Sequence, residues 1–175
     1  MPPTPQLLHQ SVAIDAGGGF HAPILGSRAV HWPDEAACAA FAQSLAPRVE
    51  LRNAYIELSG PLGAGKTTFV RHLLRALGVA GRIKSPTYAV VEPYELPGLV
   101  ISHFDFYRFS DAREWHDAGF RDTFANPGLK LAEWPEHARA QLPVPDLRVA
   151  MAPLNEHERA VTLQACSPRG LALMA

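Results

Sequence analysis

The spacing of apolar residues along the chain predicts alternating strands and helices. Residues 28–32 (RAVHW) are a short strand candidate. Asp34 and Glu35 come next and are typical of a helix start, where acidic side chains meet the positive end of the helix dipole. Apolar residues at helical spacing then form one stripe, which ends before Pro47 and comprises Cys38, Phe41, Ala42 and Leu45. An ordinary amphipathic helix accounts for this stripe.

A second strand and helix flank a glycine-rich loop. Residues 54–60 (AYIELSG) have the composition of a buried strand, and the loop PLGAG follows directly. The next apolar residues lie on one helical face: Phe69, Leu73, Leu74 and Leu77. Gly78 ends this helix. The order strand, glycine loop, helix is the one that a phosphate-binding loop requires.

Strand patterns dominate the remainder of the chain. Residues 99–109 are rich in β-branched and aromatic residues, and residues 129–133 form another short apolar strand. Residues 87–92 (TYAVVE) are strand-like and follow a turn that Pro86 keeps from becoming helical. Residues 146–154 and 159–165 are predicted to form an antiparallel pair. Together the elements predict an α/β fold with helices on both faces of a central, mostly parallel sheet and with antiparallel edge strands.

Length and composition fit one compact cytoplasmic domain. The chain has 175 residues and a formal net charge of -1, so global charge does not point to DNA or an anionic membrane as a partner. Cys38 and Cys166 form no CxxC pair, which favours a reduced compartment. No apolar run reaches the roughly 18 residues that span a bilayer. The mixture of Pro, Gly and Ser without a sustained period predicts a partly disordered extension at 1–27. We expect one domain at 28–166 and a tail at 167–175.

The loop matches the pattern G-x-x-x-x-G-K-[ST] with Gly60, Gly65, Lys66 and Thr67. Glycines give backbone N–H groups access to phosphate, Lys66 adds a positive charge toward the β- and γ-phosphates, and the Thr67 hydroxyl is placed to coordinate magnesium. The expected nucleotide contacts are Leu62, Gly63, Ala64, Gly65, Lys66, Thr67 and Thr68. A plain glycine turn is the alternative, and the flanking strand and helix favour the phosphate loop.

Two acids at strand ends are candidates for the magnesium side of the site. Asp105 ends one buried strand and Glu133 ends another, and the carboxyl ends of strands in open α/β sheets are where ligands bind. A structural ion pair is an equally good interpretation of either acid alone. Ser85 and Thr87 are placed to meet a γ-phosphate, although local chemistry favours a plain turn. His103 lies on the same strand face as Asp105.

Four segments in this order, GPLGAGKTTF, KSPTY, HFDFYR and AEWPEH, resemble the TsaE (formerly YjeE) family. The resemblance runs from about Arg28 to Leu163. It implies a P-loop NTPase fold and a cytoplasmic, weakly active ATPase that uses ATP and Mg²⁺. The resemblance further implies a role in threonylcarbamoyladenosine modification of tRNA, through binding to the TsaB and TsaD proteins. Contact with tRNA would then be indirect, through that assembly.

The resemblance also assigns roles to individual residues. Thr67 and Glu133 correspond to magnesium-associated positions, and Asp105 corresponds to an acid implicated in hydrolysis. Thr87 would belong to a nucleotide-sensing switch, and Lys66 and Thr87 join Asp105 as expected catalytic residues. The remaining matches, with expected positions near the nucleotide base or at a functional tryptophan, are Glu35, Arg159 and Trp134. Trp134 is equally well interpreted as a core aromatic. Pro61 departs from the family, which usually has an acid there.

Two other functional classes use the same loop. A small P-loop kinase would phosphorylate a small-molecule acceptor and would normally carry a lid with several arginines over the phosphates. Arg108, Arg113 and Arg121 are spread through one stretch and form no such cluster in the sequence. A GTPase would carry an NKxD-like base reader, which the sequence lacks. A nucleotide-dependent binding module with nearly vestigial hydrolysis overlaps with the family assignment.

Overall fold

Within residues 23–175, one seven-stranded sheet organises the fold. The computed structural model describes residues 23–175. The strands are β1 (Gly26–Trp32), β2 (Tyr55–Ser59), β3 (Val91–Leu96), β4 (Leu99–Asp105), β5 (Leu129–Glu133), β6 (Leu147–Pro153) and β7 (Arg159–Ala165). Their order across the sheet is β1-β7-β6-β2-β5-β4-β3. The sheet therefore places β2, which precedes the glycine loop, at its centre.

In the described part of the chain, five α-helices and two 3₁₀ turns precede, connect or follow the strands. The helices are α1 (Glu35–Leu45), α2 (Lys66–Leu77), α3 (Ala112–Asp117), α4 (Phe120–Ala125) and α5 (Pro168–Met174). The 3₁₀ turns are Val49–Asn53 and Pro135–Ala138. Among residues 23–175, no helix has the length and apolar content needed to cross a membrane.

The centre of the sheet is parallel and its margins are antiparallel. β2 pairs in parallel with β5 and β6, and β4 pairs in parallel with β5. β3 pairs antiparallel with β4, while β7 lies antiparallel between β1 and β6. The fold predicted from the sequence is thus confirmed. Because parallel strands end at the same edge, Asp105 and Glu133 lie opposite each other in the β4–β5 register, next to the end of β2.

Each face of the sheet carries one apolar cluster, because successive side chains of a strand point to opposite faces. Helices cover both clusters. Helices α1, α2 and α5 cover the first cluster, whose buried members include Ile56, Leu58, Phe69, Leu73, Leu147, Val149 and Leu173. Helices α3 and α4 cover the second, which includes Tyr55, Phe104, Phe106, Trp115 and Phe120. Each fully buried Leu, Ile or Phe contributes roughly 1.5–3 kcal/mol. The ends of β2, β4 and β5 are therefore held in a rigid three-layer frame.

Described residues on either side of the predicted domain also pair or pack with this frame. Most of the predicted extension, residues 1–22, lies outside the described residues. β1 begins within the remainder, where Gly26 pairs with Ala165 of β7. The residues predicted as a tail, 167–175, contain helix α5. Ser167 caps it by accepting a hydrogen bond from the Gly170 amide, and Leu173 is buried in the first cluster.

The strand predicted at residues 87–92 is wrong in its first four residues, because β3 begins only at Val91. Residues 87–90 form a turn that is closed by a hydrogen bond from the Val90 amide to the Pro86 carbonyl. Val90 has a positive φ of 64°, and its own carbonyl accepts a hydrogen bond from the Asp105 amide. The turn thereby brings Ser85 and Thr87 to the end of β4.

Candidate functional site

The glycine loop leaves β2 at Gly60 and enters α2 at Lys66. Gly60 has φ +140°, and a Cβ at this position would lie 2.3 Å from the backbone oxygen of Met151, so only glycine fits against β6. Gly65 caps α2 in the left-handed region, with φ 104°. The first-turn amides of α2 have no partners within the helix and face the loop. This arrangement supplies the converging N–H groups that an anion needs.

The ammonium group of Lys66 lies inside the loop. The side chain is buried, and Nζ donates hydrogen bonds to the carbonyls of Gly60 at 2.6 Å and Pro61 at 3.0 Å. Nζ also lies 3.9 Å from the centroid of the Trp134 ring, a cation–π contact. Burial lowers the pKa of Lys66, and the charges of Glu133, Glu136 and Asp105 oppose this shift. A desolvated positive charge is therefore aimed into the loop.

Trp134 reaches Lys66 because its backbone is left-handed, with φ 56° and ψ 46°, directly after β5. Its ring packs beside Tyr107, with centroids 5.0 Å apart, and beside His137 at 5.6 Å. Trp134 is thus neither a fully buried core residue nor a free surface residue. It forms one wall of the loop cavity.

Thr67 and Glu133 form a pair of oxygen ligands. The Thr67 hydroxyl donates to both Glu133 oxygens, at 3.0 Å to Oε1 and 2.8 Å to Oε2. Glu133 itself is only 2% exposed. Magnesium prefers hard oxygen donors and is usually held by one or two protein oxygens together with substrate phosphates. The donor set at Thr67 and Glu133 therefore fits a magnesium ion bound beside the loop.

Asp105 accepts hydrogen bonds from the segment at residues 85–87, which leads into the turn at 87–90. Its Oδ2 accepts hydrogen bonds from the hydroxyls of Ser85 and Thr87, the latter at 2.8 Å, and its Oδ1 accepts from the Tyr107 amide at 2.9 Å. The carboxylate is 3% exposed. Ser85 and Thr87 thus contact Asp105 in the site rather than forming a plain surface turn.

These groups share one cavity of about 410 Å³. It is lined by Leu62, Gly63, Ala64, Gly65, Lys66, Thr67, Thr68, Ser85, Thr87, Asp105, Tyr107, Glu133, Trp134 and Arg159. The loop, the turn and the ends of β4 and β5 each supply part of the wall. Leu62 is largely exposed at the loop tip, while Ala64 is buried.

A smaller cavity of about 150 Å³ lies on the other side of the loop, between Gly65 and α1. Glu35 lines it and pairs with His72, with 2.9 Å between Oε1 and Nε2. Cys38 also lines it, and burial raises the pKa of this thiol to about 12, so the thiol stays protonated and unreactive. This cavity is where the residues expected near a nucleotide base come together.

Arg159 borders both cavities and braces the loop. Its Nε donates to the Ala64 carbonyl at 2.9 Å and its Nη2 donates to the Gly63 carbonyl at 3.3 Å. The same guanidinium bonds the carbonyl of Asn155 at 3.0 Å. The side chain of the first residue of β7 therefore fixes the outer part of the glycine loop.

Comparison with known sequences decides the family. The family described as "Threonylcarbamoyl adenosine biosynthesis protein TsaE" matches residues 32–161, which is most of the chain. The chain belongs to the TsaE family. The matched segment begins at the last residue of β1 and ends within β7, so it contains the glycine loop and both strand-end acids.

Three curated TsaE proteins illustrate the similarity, each named "tRNA threonylcarbamoyladenosine biosynthesis protein TsaE". The protein of Haemophilus influenzae is 45% identical over 94 residues, covering 54% of this chain and 60% of its own length, which is less than two thirds. That of Bacillus subtilis is 34% identical, covering 65% and 71% respectively. That of Rickettsia typhi is 34% identical, covering 71% and 83%.

A solved structure supports the fold. The crystal structure of Bacillus subtilis YdiB aligns with a TM-score of 0.67 and covers 85% of this chain and 92% of that one, at 24% identity. At this identity the likeness concerns the fold alone. The four segments that resemble TsaE sequences are brought together by this fold, at the edge where β2, β4 and β5 end.

Sequence reasoning missed three contacts of the site. His103 lies on the strand face of Asp105, as the spacing predicts, and the contact not predicted is that of its Nε2 with Oε1 of Glu133 on the neighbouring strand, at 2.8 Å. The ring of Trp134 lies over Lys66, and Arg159 bonds the loop carbonyls rather than only lining a base cavity. The spacing of His103 and Asp105 was a signal for the first contact. The other two depend on backbone geometry that spacing does not encode.

Proposed function

We propose that this TsaE-family protein is a Mg²⁺-dependent ATPase of low intrinsic activity that works in the cytoplasm in threonylcarbamoyladenosine modification of tRNA. It acts there as a nucleotide switch on an assembly of the TsaB and TsaD proteins. The observation that carries the proposal is the single cavity in which Lys66 and Thr67 of the loop face Asp105 and Glu133 of two strand ends.

The loop residues bind the nucleotide tail in this proposal. Backbone amides from Gly63 to Thr68 and the Lys66 ammonium hold the phosphates, and the cavity beside Glu35 receives the base. Thr67 and Glu133 hold the magnesium ion. When bound, the ion neutralises charge on the phosphate oxygens and so lowers the barrier to attack on phosphorus.

Asp105 orients a water molecule and accepts its proton. Its carboxylate is buried, faces the loop cavity, and is held in one orientation by hydrogen bonds to both oxygens. A positioned general base of this kind contributes roughly 10²- to 10⁴-fold to a rate. Two of its hydrogen bonds come from the hydroxyls of Ser85 and Thr87. A movement of residues 85–87 would therefore change the orientation of the Asp105 carboxylate.

The segment at residues 85–87, which leads into the turn at 87–90, is the switch element. Its hydroxyls donate hydrogen bonds to Asp105. Ser85 and Thr87 also line the loop cavity, where the proposal places the γ-phosphate. We expect triphosphate to draw the turn toward the loop, and hydrolysis to release it, as in other nucleotide switches. The exposed aromatic residue Tyr88 at the tip of the turn would move with it.

The proposal predicts that a partner assembly distinguishes nucleotide states. Purified TsaB–TsaD complex, titrated with this protein, is expected to bind at least about 10-fold more tightly with a non-hydrolysable ATP analogue than with ADP, a coupling of about 1.4 kcal/mol. Calorimetry at fixed magnesium measures the affinities, and the Lys66→Ala protein serves as a control whose affinity does not depend on nucleotide. Equal affinities with analogue, with ADP and without nucleotide would refute the switch.

A second prediction concerns the magnesium side. Glu133→Gln keeps the size of the side chain and an acceptor oxygen for His103 but removes the negative charge. We expect the gain in ATP affinity that Mg²⁺ provides to fall at least about 10-fold, since a neutral amide is a weaker ligand than a carboxylate. Calorimetry with Mg²⁺ and with EDTA measures this gain. Glu136→Gln, which changes an exposed acid nearby, is the control. If Glu133→Gln reduces the gain provided by Mg²⁺ less than Asp105→Asn does, the roles assigned to Glu133 and Asp105 are reversed.

The kinase alternative makes a different prediction. Of the arginines considered for a lid, Arg113 forms an ion pair with Asp111 and its side chain is 87% exposed, while Arg108 lies over the Tyr88 ring. Labelled ATP incubated with the protein and a pool of small metabolites is expected to release inorganic phosphate only. Transfer of label to an organic acceptor would favour the kinase.

A further inference from the structure

His103 is a buried polar residue beside the site that none of the functions above uses. It lies on β4 with no exposed surface, and its Nε2 is 2.8 Å from Oε1 of Glu133. The other ring nitrogen, Nδ1, is buried and has no hydrogen-bond partner among residues 23–175. A hydrogen on Nδ1 would be a buried donor without an acceptor, which costs about 1–3 kcal/mol. The ring hydrogen therefore belongs on Nε2, where it is donated to Glu133.

This hydrogen bond fixes the carboxylate of Glu133. The terminal torsion of a glutamate side chain is broad, so rotamer preference alone does not set the plane of the carboxylate. Oε1 accepts from both His103 and Thr67, whereas Oε2 accepts from Thr67 at 2.8 Å. His103 thus binds the oxygen on the β4 side and leaves Oε2 turned toward the Thr67 hydroxyl.

We propose that His103 is a positioning residue for the magnesium ligand Glu133: it orients the carboxylate so that Oε2 and the Thr67 hydroxyl are presented together. The inference rests on the proposed function, because it assumes that Glu133 holds magnesium. It adds a residue that touches neither nucleotide nor metal. Partners of this kind typically change metal affinity by about 10- to 100-fold.

The test compares two substitutions of His103. His103→Leu removes the N–H donor at similar volume, and His103→Gln places an amide N–H near the position of Nε2. Affinity for a non-hydrolysable ATP analogue is measured by calorimetry in Mg²⁺ and in EDTA. We expect His103→Leu to reduce the gain provided by Mg²⁺ about 10- to 100-fold while affinity in EDTA changes less than about 3-fold. His103→Gln should restore most of the gain.

Controls separate positioning from simple destabilisation. Ile101→Val alters a fully buried residue on the same strand and the same face, and it should leave the gain from Mg²⁺ unchanged. Nitrogen NMR of ¹⁵N-histidine in the wild-type protein does not depend on the folding of any variant, because the His103 ring is assigned by through-bond correlation to its own backbone. It should show the His103 hydrogen on Nε2.

Each outcome decides the matter. A Mg²⁺ gain in the wild type that is lost in His103→Leu and restored in His103→Gln supports the inference. The inference fails, with the proposed function intact, if His103→Leu keeps the gain, if it loses affinity equally in Mg²⁺ and EDTA, if Gln does not restore the gain, or if the hydrogen lies on Nδ1. A wild-type protein whose nucleotide affinity does not depend on Mg²⁺ would overturn both.

Discussion

Replacing Lys66 with alanine is expected to lower the affinity for ATP and ADP at least about 100-fold, the largest binding effect that we predict. The ammonium is buried inside the loop with its charge already desolvated, so its attraction to phosphate is only weakly screened. Charge-assisted hydrogen bonds of this kind contribute roughly 1.5–3 kcal/mol each, and Lys66 is placed to reach two phosphate groups. The loss should therefore appear for both nucleotides.

Calorimetry at fixed magnesium measures this loss, and Lys84→Ala removes an exposed lysine as the matched control. The Lys66→Ala protein should remain folded. The two hydrogen bonds of Nζ are made within the loop, and removing a partly desolvated charge relieves an unfavourable contribution to stability. A Lys66→Ala protein that is folded and binds nucleotide as well as the wild type would refute the phosphate loop itself.

Replacing Asp105 with asparagine is expected to slow single-turnover hydrolysis of ATP about 10²- to 10³-fold, with nucleotide affinity changed by less than about 5-fold. The amide cannot accept a proton from water, yet its oxygen still accepts a hydrogen bond from the Tyr107 amide or from the turn hydroxyls. Rapid mixing of excess enzyme with labelled ATP measures the rate. Asp111→Asn, at a partly exposed helix cap, is the control.

The outcome for Asp105 also tests the link to the turn. Thr87→Val removes one hydrogen bond to Asp105 while leaving the carboxylate in place. If Asp105 is the base and the turn positions it, Thr87→Val should slow hydrolysis by a smaller factor than Asp105→Asn. An unchanged rate in Asp105→Asn would assign proton transfer to another group.

Local patterns were sufficient to predict the central part of the fold. The strand, glycine loop and helix from Tyr55 to Leu77 have strong periodicity and explicit start and stop residues, and the order of strands and helices implied the parallel centre. Helices α3 and α4 have six residues each, too short for a helical period to be recognised. Helix α5 is seven residues long and depends on tertiary contact, since Gly170 packs directly against the Asp146 carbonyl.

The sequence predicted which residues belong to the candidate site better than it predicted the contacts between them. Asp105 and Glu133 were expected to share an edge because parallel strands end together, and they do. The contact between Trp134 and Lys66 depends on one left-handed residue, which sequence spacing does not reveal. The contact of His103 with Glu133 joins the adjacent strands β4 and β5. It therefore depends on the register of these strands, which the separation of the two residues in sequence does not reveal.

Arg159 has a consequence for the order in which the protein matures. Its guanidinium bonds the carbonyls of Gly63 and Ala64, which precede it by 96 and 95 residues. Synthesis proceeds from the amino terminus, so a nascent chain contains the whole glycine motif long before Arg159 has been synthesised. The protein should therefore reach its full affinity for ATP only after β7 has docked between β1 and β6. A ribosome-bound fragment that ends before Arg159 should bind ATP more weakly than the complete domain.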